Sequence, residues 1–548
     1  MRLSHRLAGL AAGVVAVLGG VLPTSARASV PSDGNIGTQP ECAWRMYGHD
    51  IGRSFAQNSS CTGINQGRVT TLVPSWFMPT ADSVTASPAV VDGTIYVGSW
   101  DGVMHAIDQA TGVERWHFNI GDNSNTAFGR IESSAAVVDI GGTRAVIFGG
   151  GSTLYALDAS TGYELASVCV DPRAKASIRC QGESNGAIEI LSSPAVFTQD
   201  GITRVVVGMD VHNARDVGRT GIVSFRLATG PMWRFVPQWK FDPENQATYT
   251  GADLLTRGSG TGTGCASVWS SPAVDLDNDM LFFGTGSCGN STVTVGESMW
   301  GIKLSTGTYV WQYDAHRPDR YPSREWDDDF GASPNLLPYG LVGDGSKDGV
   351  YYALDRRTGA LRWKTHAGQA GHVTNGFAVG GMIGSAAIGT VKGRPAIFAT
   401  TAISTPIWAP LDEKPGDLDL TLLDDPGRML SLHAIDAENG KILWRSPFIR
   451  ASYGAPTFVN GVVLVPSTFD FTIKSIDAEN GTLLGALPVI GAPSAAPIPI
   501  GPMLIVGAGT RTTDVEYKTF GAGALDGLGG PSPLAPLSGV WGFRLAFR

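Results

Sequence analysis

Short alternating runs of apolar and polar residues fill most of the chain, and tight-turn residues separate them. In the stretch 85–118, "SPAVVDG" is an apolar run ending in Asp-Gly, "TIYVGS" is rich in β-formers, and "VMHAID" alternates. A glycine turn, "QATG", then leads into "VERWHF", which carries a tryptophan near its middle. Such runs between Gly-containing turns are typical of antiparallel strands. The stretch therefore predicts four consecutive β-strands.

This four-strand pattern recurs along the chain about eight times. The units begin near Thr85, Glu132, Leu191, Trp269, Gly331, Gly384, Gly454 and Ser494. Four antiparallel strands repeated in this way describe a β-propeller, whereas tandem β-sandwiches do not explain a recurring motif of this kind. We therefore predict an all-β fold, an eight-bladed β-propeller.

The last unit stops after "GVWGFRLAFR" and lacks a fourth strand. Near the start, "VTTLVPSWFMPT" has the pattern of an outer strand, with Trp76, and belongs to no preceding unit. Pairing these two segments removes an exposed sheet edge and ties the chain ends together. We expect residues near 69–78 to lie beside residues 538–547, so that an N-terminal strand closes the ring.

The N-terminal residues have the pattern of a secretory signal. Basic residues precede an apolar run from Leu7 to Leu22, and Ala26 and Ala28 follow in an A-x-A pattern. We expect residues 1–28 to be a signal peptide, 29–66 an N-terminal extension and 67–548 the propeller. The protein is then secreted or periplasmic, with no integral membrane segment after cleavage.

Composition and cysteines narrow the function classes. The net charge of −9, with no basic tract, argues against nucleic acid as a partner. Six cysteines in an exported protein predict disulfides, and proximity in sequence proposes Cys42–Cys61, Cys169–Cys180 and Cys265–Cys288. No C-x-x-C-H occurs, so no covalently attached haem is expected.

The recurring "A-I/L-D-x-x-T-G-x-x-x-W" motif resembles the tryptophan-docking motif of quinoprotein propellers, the pyrroloquinoline quinone (PQQ) dehydrogenases. The resemblance covers most of residues 70–548 and is closest to polyvinyl-alcohol-dehydrogenase-like propellers. It implies that the tryptophan of one blade packs against the turn of its neighbour. The tryptophans with this structural role are Trp116, Trp311, Trp363 and Trp444.

The segment "EWDDD" resembles the Trp-Asp segment that follows the fourth blade in the same family. The resemblance implies that Asp327 is the base that removes the alcohol proton. Asp329 is similar to the extra carboxylate of members that use a lanthanide, a hard cation that oxygen ligands suit. The alternative is that the three aspartates form a solvated acidic turn.

Two further segments match the family's quinone site. In "VGDGSKDGVYYALDRRTG", Lys347 corresponds to the lysine that points at the quinone oxygens, where a cation stabilises developing charge. In "CASVWSSPAVDLDNDMLFFGTGS", Trp269 corresponds to the flat floor beneath the quinone ring. The alternatives are a solvated turn lysine and a structural tryptophan.

The metal ligands of the family match less well. Ser287 replaces an expected amide, so Asn290 substitutes only if its loop reshapes, and Asp210 stands where a glutamate is expected. The family's adjacent Cys-Cys pair is absent. These departures support an alternative, a non-catalytic extracellular propeller acting as a binding or assembly scaffold.

The resemblance favours an exported PQQ-dependent dehydrogenase that oxidises a small-molecule or polymeric alcohol. It implies PQQ with Ca²⁺ or a lanthanide, held by Asp327, Asp329, Asp210 and Asn290. Electrons would leave through an external acceptor. A hydrolase is not supported, because no G-x-S-x-G or histidine metal pattern occurs.

Overall fold

Eight antiparallel sheets form the blades of a propeller in the computed structural model of the chain. The structure describes residues 42–121, 129–171, 180, 188–210, 221–256, 266–286, 295–315, 326–368, 371–374, 377–379, 381–402, 431–449, 452–509 and 537–546. At 326–327, 371–374, 377–379 and 469 it describes the backbone alone. The inner strands of neighbouring blades contact one another around the axis. The predicted eight-bladed fold is confirmed.

Blades 1 to 4 follow one another in chain order after the strand β1 (Leu72–Thr80). Blade 1 comprises β2 (Ala89–Val91), β3 (Thr94–Gly98), β4 (Val103–Asp108) and β5 (Glu114–Asn119). Blade 2 comprises β6 (Ala136–Ile140), β7 (Thr143–Gly150), β8 (Thr153–Asp158) and β9 (Glu164–Cys169). Blade 3 comprises β10 (Ala195–Gln199), β11 (Ile202–Met209), β12 (Gly221–Ala228), β13 (Arg234–Asp242) and β14 (Ala247–Tyr249). Blade 4 comprises β15 (Ala273–Asp275), β16 (Met280–Gly284), β17 (Ser298–Lys303) and β18 (Tyr309–Asp314).

A short strand, β19 (Trp326–Asp327), precedes blade 5, and two more follow that blade. Blade 5 comprises β20 (Asn335–Leu337), β21 (Leu341–Gly345), β22 (Val350–Asp355) and β23 (Leu361–His366). The strands β24 (Gly371–Thr374) and β25 (Phe377–Val379) join β19 in a small separate sheet. Blade 6 comprises β26 (Ala387–Val391), β27 (Arg394–Thr400), β28 (Leu432–Asp436) and β29 (Ile442–Ser446). Blade 7 comprises β30 (Thr457–Val459), β31 (Val462–Ser467), β32 (Thr472–Asp477) and β33 (Leu483–Pro488).

Blade 8 is built from both ends of the described chain. It comprises β34 (Ile498–Ile500), β35 (Met503–Ala508), β36 (Ser538–Leu545) and, as its outer strand, β1. Leu72 pairs with Leu545 and Thr80 with Ser538 in an antiparallel register. The predicted N-terminal closure of the ring is confirmed. Within the described ranges, the helices are short 3₁₀ turns at Ser59–Cys61, Val69–Thr71, Leu254–Thr256, Pro338–Gly340 and Thr468–Asp470.

The predicted docking tryptophans pack between blades. Trp116 Nε1 donates to the carbonyl of Ala159 in blade 2 (3.0 Å), and a methyl group added to Gly162 would lie 2.7 Å from the indole. Only glycine at position 162 leaves room for the indole of Trp116 to pack on this turn. Trp311 and Trp444 make the same bond to the next blade, and Trp363 packs on a turn glycine.

A second repeated device lies at the start of each inner strand, in the "S-S-P-A-V" part of the motif. The serine hydroxyl at the second position of this motif accepts a hydrogen bond from the backbone of the preceding blade at about 2.9 Å. The donor and acceptor pairs are Ser87 and Ser134, Ser134 and Ser193, Ser193 and Ser271, Ser271 and Ser333, Ser333 and Ser385, and Ala496 and Ser87. Ala455 and Ala496 stand at this position in blades 7 and 8 and have no hydroxyl. We call this set the serine belt.

Two of the three predicted disulfides are present. Cys42 bonds to Cys61, and Cys169 bonds to Cys180. Cys265 and Cys288 lie outside the described residues, so their pairing stays a prediction. In the part of the chain that the structure describes, no helix is long and apolar enough to cross a membrane.

Candidate quinone site

Three of the predicted site residues meet between blades 4 and 5. Trp269 lies just before the inner strand β15 of blade 4, and Lys347 lies in the turn between β21 and β22 of blade 5. Asp329 lies in the segment that enters blade 5. These positions are far apart in sequence, and the ring brings their loops together.

Lys347 is held to Asp329 by both its backbone and its side chain. Its backbone N–H donates to the carbonyl of Asp329 (2.7 Å), and its Nζ donates to Asp329 Oδ2 (3.3 Å). The two side chains are only 13% and 10% exposed, so water screens the ion pair weakly. The turn and the entering segment therefore present one ammonium group and one carboxylate as a unit.

The ammonium group of Lys347 also lies above the indole of Trp269. Its Nζ is 5.1 Å from the ring centroid, which is cation–π distance. A methyl group added to Gly331 would lie 2.4 Å from Trp269 Cη2 and 3.5 Å from Lys347 Cε. Glycine at 331 therefore lets the chain approach the edge of the indole. The result is a half-buried flat face with a cation over it.

Asp210 of blade 3 reaches the same region through Ser267. The Ser267 hydroxyl donates to Asp210 Oδ1 (2.5 Å), and the Ser267 carbonyl accepts the N–H of Gly286 (2.8 Å). A methyl group added to Gly286 would lie 3.2 Å from Ser267 Oγ, 3.2 Å from Trp269 Nε1 and 3.4 Å from Asp329 Oδ2. Three polar side chains thus converge on the face of one glycine.

Glu189 is a neighbour of Asp210 that the sequence did not indicate. The two residues form an isolated antiparallel bridge with backbone N–H···O bonds of 2.9 Å in both directions, and both are buried. The glutamate of the family is expected after the second strand of blade 3, whereas Glu189 precedes the first strand of that blade. No local signal could have found it, because the bridge joins segments 21 residues apart.

The structure describes the backbone position of the predicted base, Asp327. Asp327 pairs with Gly371, and Trp326 pairs with His372, in the small sheet beside blade 5. The side chain of Asp327 lies outside the described part of the structure, as do Ser287 and Asn290 entirely. The roles of Asp327 and Asn290 therefore stay predictions.

The acidic segment that follows is not a solvated turn at its last two positions. Asp328 is 1% exposed and Asp329 is 7% exposed. The carbonyl of Asp328 accepts a hydrogen bond from Ser346 Oγ (2.8 Å) beside Lys347. The segment packs against the turn of blade 5 and holds Asp329 there.

A further carboxyl group, Asp344, is buried in blade 5 on the side of blade 4. Its Oδ1 accepts the N–H of Gly345 (2.8 Å), and a methyl group added to Gly284 would lie 3.3 Å from its Oδ2. Burial raises the pKa of Asp344 well above its ordinary value, because desolvation disfavours the charged form. The packing of blade 4 against blade 5 therefore favours the protonated form of this carboxyl group.

The described residues include only some of the predicted metal ligands. Among the described side chains, no group of three or more His, Cys, Asp or Glu residues is placed to hold a metal ion. Asp210 and Asp329 approach the same glycine, and carboxylate oxygens are the ligands that hard cations prefer. Completing a site requires oxygen ligands from the remaining predicted residues.

Comparisons with known proteins identify the family of most of the chain. The model of the glucose/ethanol/alcohol dehydrogenase β-propeller domain matches residues 44–370. A model of the outer membrane protein assembly factor BamB matches residues 426–487.

Curated relatives are similar at modest identity. The dehydrogenase subunit of a quinone alcohol dehydrogenase from Gluconacetobacter polyoxogenes is 27% identical over 358 residues, which is 58% of this chain and 44% of the relative. A quinohemoprotein alcohol dehydrogenase from Pseudomonas putida is 25% identical over 66% of this chain and 51% of its own length. The chain thus spans about half the length of these relatives.

Solved structures share the fold. A europium-containing methanol dehydrogenase has a TM-score of 0.65 with 17% identity, and the match covers 92% of this chain and 98% of that one. At this identity the similarity shows the architecture alone.

Proposed function

Because the chain belongs to the glucose/ethanol/alcohol dehydrogenase β-propeller family, we propose that it is a PQQ-dependent dehydrogenase that oxidises an alcohol. The observation that carries the proposal is the ammonium group of Lys347 over the face of Trp269, bonded to Asp329. PQQ, when bound, supplies the acceptor for two electrons from the alcohol.

The described residues suit a flat, anionic, oxygen-rich cofactor. Trp269 offers an aromatic face on which a planar ring stacks. Lys347 holds a positive charge beside that face, in a poorly screened position where charge on a ligand oxygen is stabilised. Gly331 and Gly286 keep side chains away from the indole.

Carboxylates supply the rest of the proposed chemistry. Asp327 accepts the hydroxyl proton of the alcohol, which requires its carboxylate to lie within hydrogen-bond reach of the alcohol oxygen. Asp210 and Asn290 would hold Ca²⁺ or a lanthanide through oxygen atoms, and Asp329 would add a further carboxylate for a lanthanide. Glu189 adds a carboxylate beside Asp210 and offsets the missing glutamate of blade 3.

We also propose that the protein is exported and that it passes electrons from an alcohol to an external acceptor. The signal-like N-terminus supports export, and the matches to quinone alcohol dehydrogenases support an alcohol substrate and an external electron acceptor.

The test is dye-linked alcohol oxidation by protein supplied with PQQ and either Ca²⁺ or La³⁺. We expect Asp327→Asn to abolish oxidation while PQQ binding persists, because the amide keeps the shape and loses the base. Asp329→Ala should reduce oxidation strongly with La³⁺ and little with Ca²⁺. If the wild-type protein binds no PQQ with either metal, the non-catalytic scaffold is the better account.

A further inference from the structure

Residues 44–57 run along the inner strands of the ring, and we call them the axial segment. They bond to blade 1 at Val90, to blade 2 at Val137, to blade 4 at Val274, to blade 5 at Leu336 and to blade 6 at Ile388. They reach blade 7 at Phe458, blade 8 at Pro499 and blade 3 at Ser193. Every blade is contacted.

The backbone bonds follow the order of the blades. The carbonyls of the axial segment that accept inner-strand N–H groups at 2.8–2.9 Å are those of Trp44, Arg45, Ile51, Gly52, Ser54 and Phe55, for blades 1, 2, 4, 5, 6 and 7 in turn. Fourteen residues extend at most about 50 Å, so a chain that visits all the innermost strands must wind closely around the axis. Left-handed backbone at Gly48, His49, Arg53 and Phe55 permits this tight course.

Arg53 marks the centre of this winding. Its guanidinium is fully buried and donates to the carbonyls of Pro272 in blade 4 (2.9 Å), Tyr47 (2.6 Å) and Ser193 in blade 3 (3.3 Å). Its own carbonyl accepts a hydrogen bond from Asn335 of blade 5 (2.5 Å). One residue therefore links three blades, which places it close to the axis.

The axial segment also bonds where the serine belt stops. Tyr47 Oη and Ser385 Oγ are 2.9 Å apart at the last serine of the belt, in blade 6. Phe55 and Gln57 then bond to Phe458 of blade 7, beyond that serine. The segment thus joins blades 6 and 7, where the belt has no serine.

The Cys42–Cys61 disulfide joins two residues that flank the axial segment, one on each side. Cys42 precedes the contact with blade 1, and the carbonyl of Cys61 accepts the N–H of Gly501 in blade 8 (2.8 Å). Gly501 lies in the turn between β34 and β35 of the blade that β1 completes. Blade 8 is therefore held at its outer edge by β1 and at this inner turn by the segment that ends at Cys61.

We propose that the axial segment is a disulfide-locked seal that closes the propeller axis at the end away from the candidate quinone site. Val274 and Leu336, which it bonds, follow Trp269 and Asp329 along the chain, so the segment meets the inner strands of blades 4 and 5 beyond the residues of the site. The segment would then block the passage of solutes along the axis from that end.

Hydrogen exchange of the inner-strand amides tests the seal, since the N–H groups of Val137, Val274, Leu336, Ile388 and Phe458 bond to its carbonyls. In the Cys42→Ala/Cys61→Ala variant we expect these amides to exchange faster by on the order of tenfold or more. Amides within β16 and β17 should not change. The matched control is Cys169→Ala/Cys180→Ala, which removes a disulfide at blade 2 and should leave the five amides as in the wild type.

A second variant keeps the test decisive if the cysteine variant does not fold. Arg53→Met retains the disulfide and an unbranched apolar side chain but removes the three hydrogen bonds that the guanidinium donates, so exchange at Val274 and Leu336 should rise first. Unchanged exchange in both variants, or equal acceleration throughout the ring, would overturn the seal. An equal effect of the Cys169→Ala/Cys180→Ala control would also overturn it.

Discussion

The turns "GSWDGV" of blade 1, residues 98–103, and "GSKDGV" of blade 5, residues 345–350, have the same construction. In blade 1 the N–H of Gly102 donates to the carbonyl of Ser99 (3.0 Å), and in blade 5 the N–H of Gly349 donates to that of Ser346 (3.1 Å). An aspartate accepts the following valine N–H in each, at 3.1 Å and 2.9 Å. Serine, aspartate and glycine therefore set the shape of the turn.

The residues that differ decide what each turn can do. At equivalent positions blade 1 has Ser83, Val97 and Trp100, and blade 5 has Asp329, Asp344 and Lys347. Trp100 and Lys347 both donate their backbone N–H to the first of these residues, Ser83 or Asp329. The Trp100 indole then bonds to Thr85 Oγ1 (2.8 Å), whereas the Lys347 ammonium bonds to Asp329. One scaffold thus carries a packing residue in blade 1 and a charged pair in blade 5.

The largest expected effect comes from giving blade 5 the residue of blade 1. Lys347→Trp should keep the turn and lower dye-linked alcohol oxidation by roughly 10²–10³-fold, because the charge over Trp269 is lost. Steady-state kinetics with saturating PQQ measures this. The control is Lys364→Met, which removes an exposed lysine of the same blade and should leave the rate unchanged. An active Lys347→Trp protein would show that the two turns are equivalent in function.

Trp100→Ala tests the packing role in blade 1. We expect it to lower the free energy of unfolding by about 3–5 kcal/mol, since a buried indole and its hydrogen bond are removed. Urea unfolding measures the loss. PQQ affinity should not change, and a large fall in affinity in a folded Trp100→Ala protein would place blade 1 in the quinone site.

The aspartates of the two turns make the same bond to a valine N–H but differ in a second contact. Asp101→Ala and Asp348→Ala each remove the acceptor of that N–H, which should cost about 1–2 kcal/mol of folding free energy. Asp348→Ala should cost more in total, because the buried Asp348 also accepts the hydroxyl of Tyr352. Parallel urea unfolding compares the two variants, and equal costs would mean that the bond from Tyr352 adds no stability.

The sequence predicted those parts of the molecule that repeat or that pair locally. The turn glycines and Trp116 predicted the blades, and the unpaired Trp76 strand predicted the closure of blade 8. The course of residues 44–57 was not predictable, because each residue bonds to a different blade and leaves no periodic pattern. Glu189 was missed for the same reason, since its contact with Asp210 is not local.

Within the site, resemblance supplied what spacing alone did not. Trp269, Asp329 and Lys347 were selected by their motifs, and the structure brings all three together. No motif singles out Asp344, because its burial depends on the packing of blade 4 against blade 5.

The smallest expected effect is a dependence of folding stability on pH that comes from Asp344. Blade 1 has Val97 at the equivalent position and does not contribute such a dependence. The raised pKa of Asp344 means that the folded protein keeps a proton that the unfolded chain releases above about pH 3.9. This carboxyl group therefore weakens stability as the pH rises from that value towards its folded pKa. The free energy of unfolding of Asp344→Asn, compared with that of the wild type at the same pH, should be more favourable at pH 7 than at pH 4. Urea midpoints at the two pH values measure this, and an equal difference at both would contradict it.

Equilibrium dialysis of PQQ tests the central claim, that Lys347 above Trp269 in blades 4 and 5 forms a quinone cradle. Wild-type protein with Ca²⁺ or La³⁺ should retain about one PQQ per chain, and Trp269→Leu should lose at least tenfold in affinity, as expected when an aromatic stacking surface is removed. Trp100→Phe, which alters the corresponding turn of blade 1, should retain PQQ as the wild type does. Absence of binding to the wild type, or equal binding by Trp269→Leu, would contradict the account.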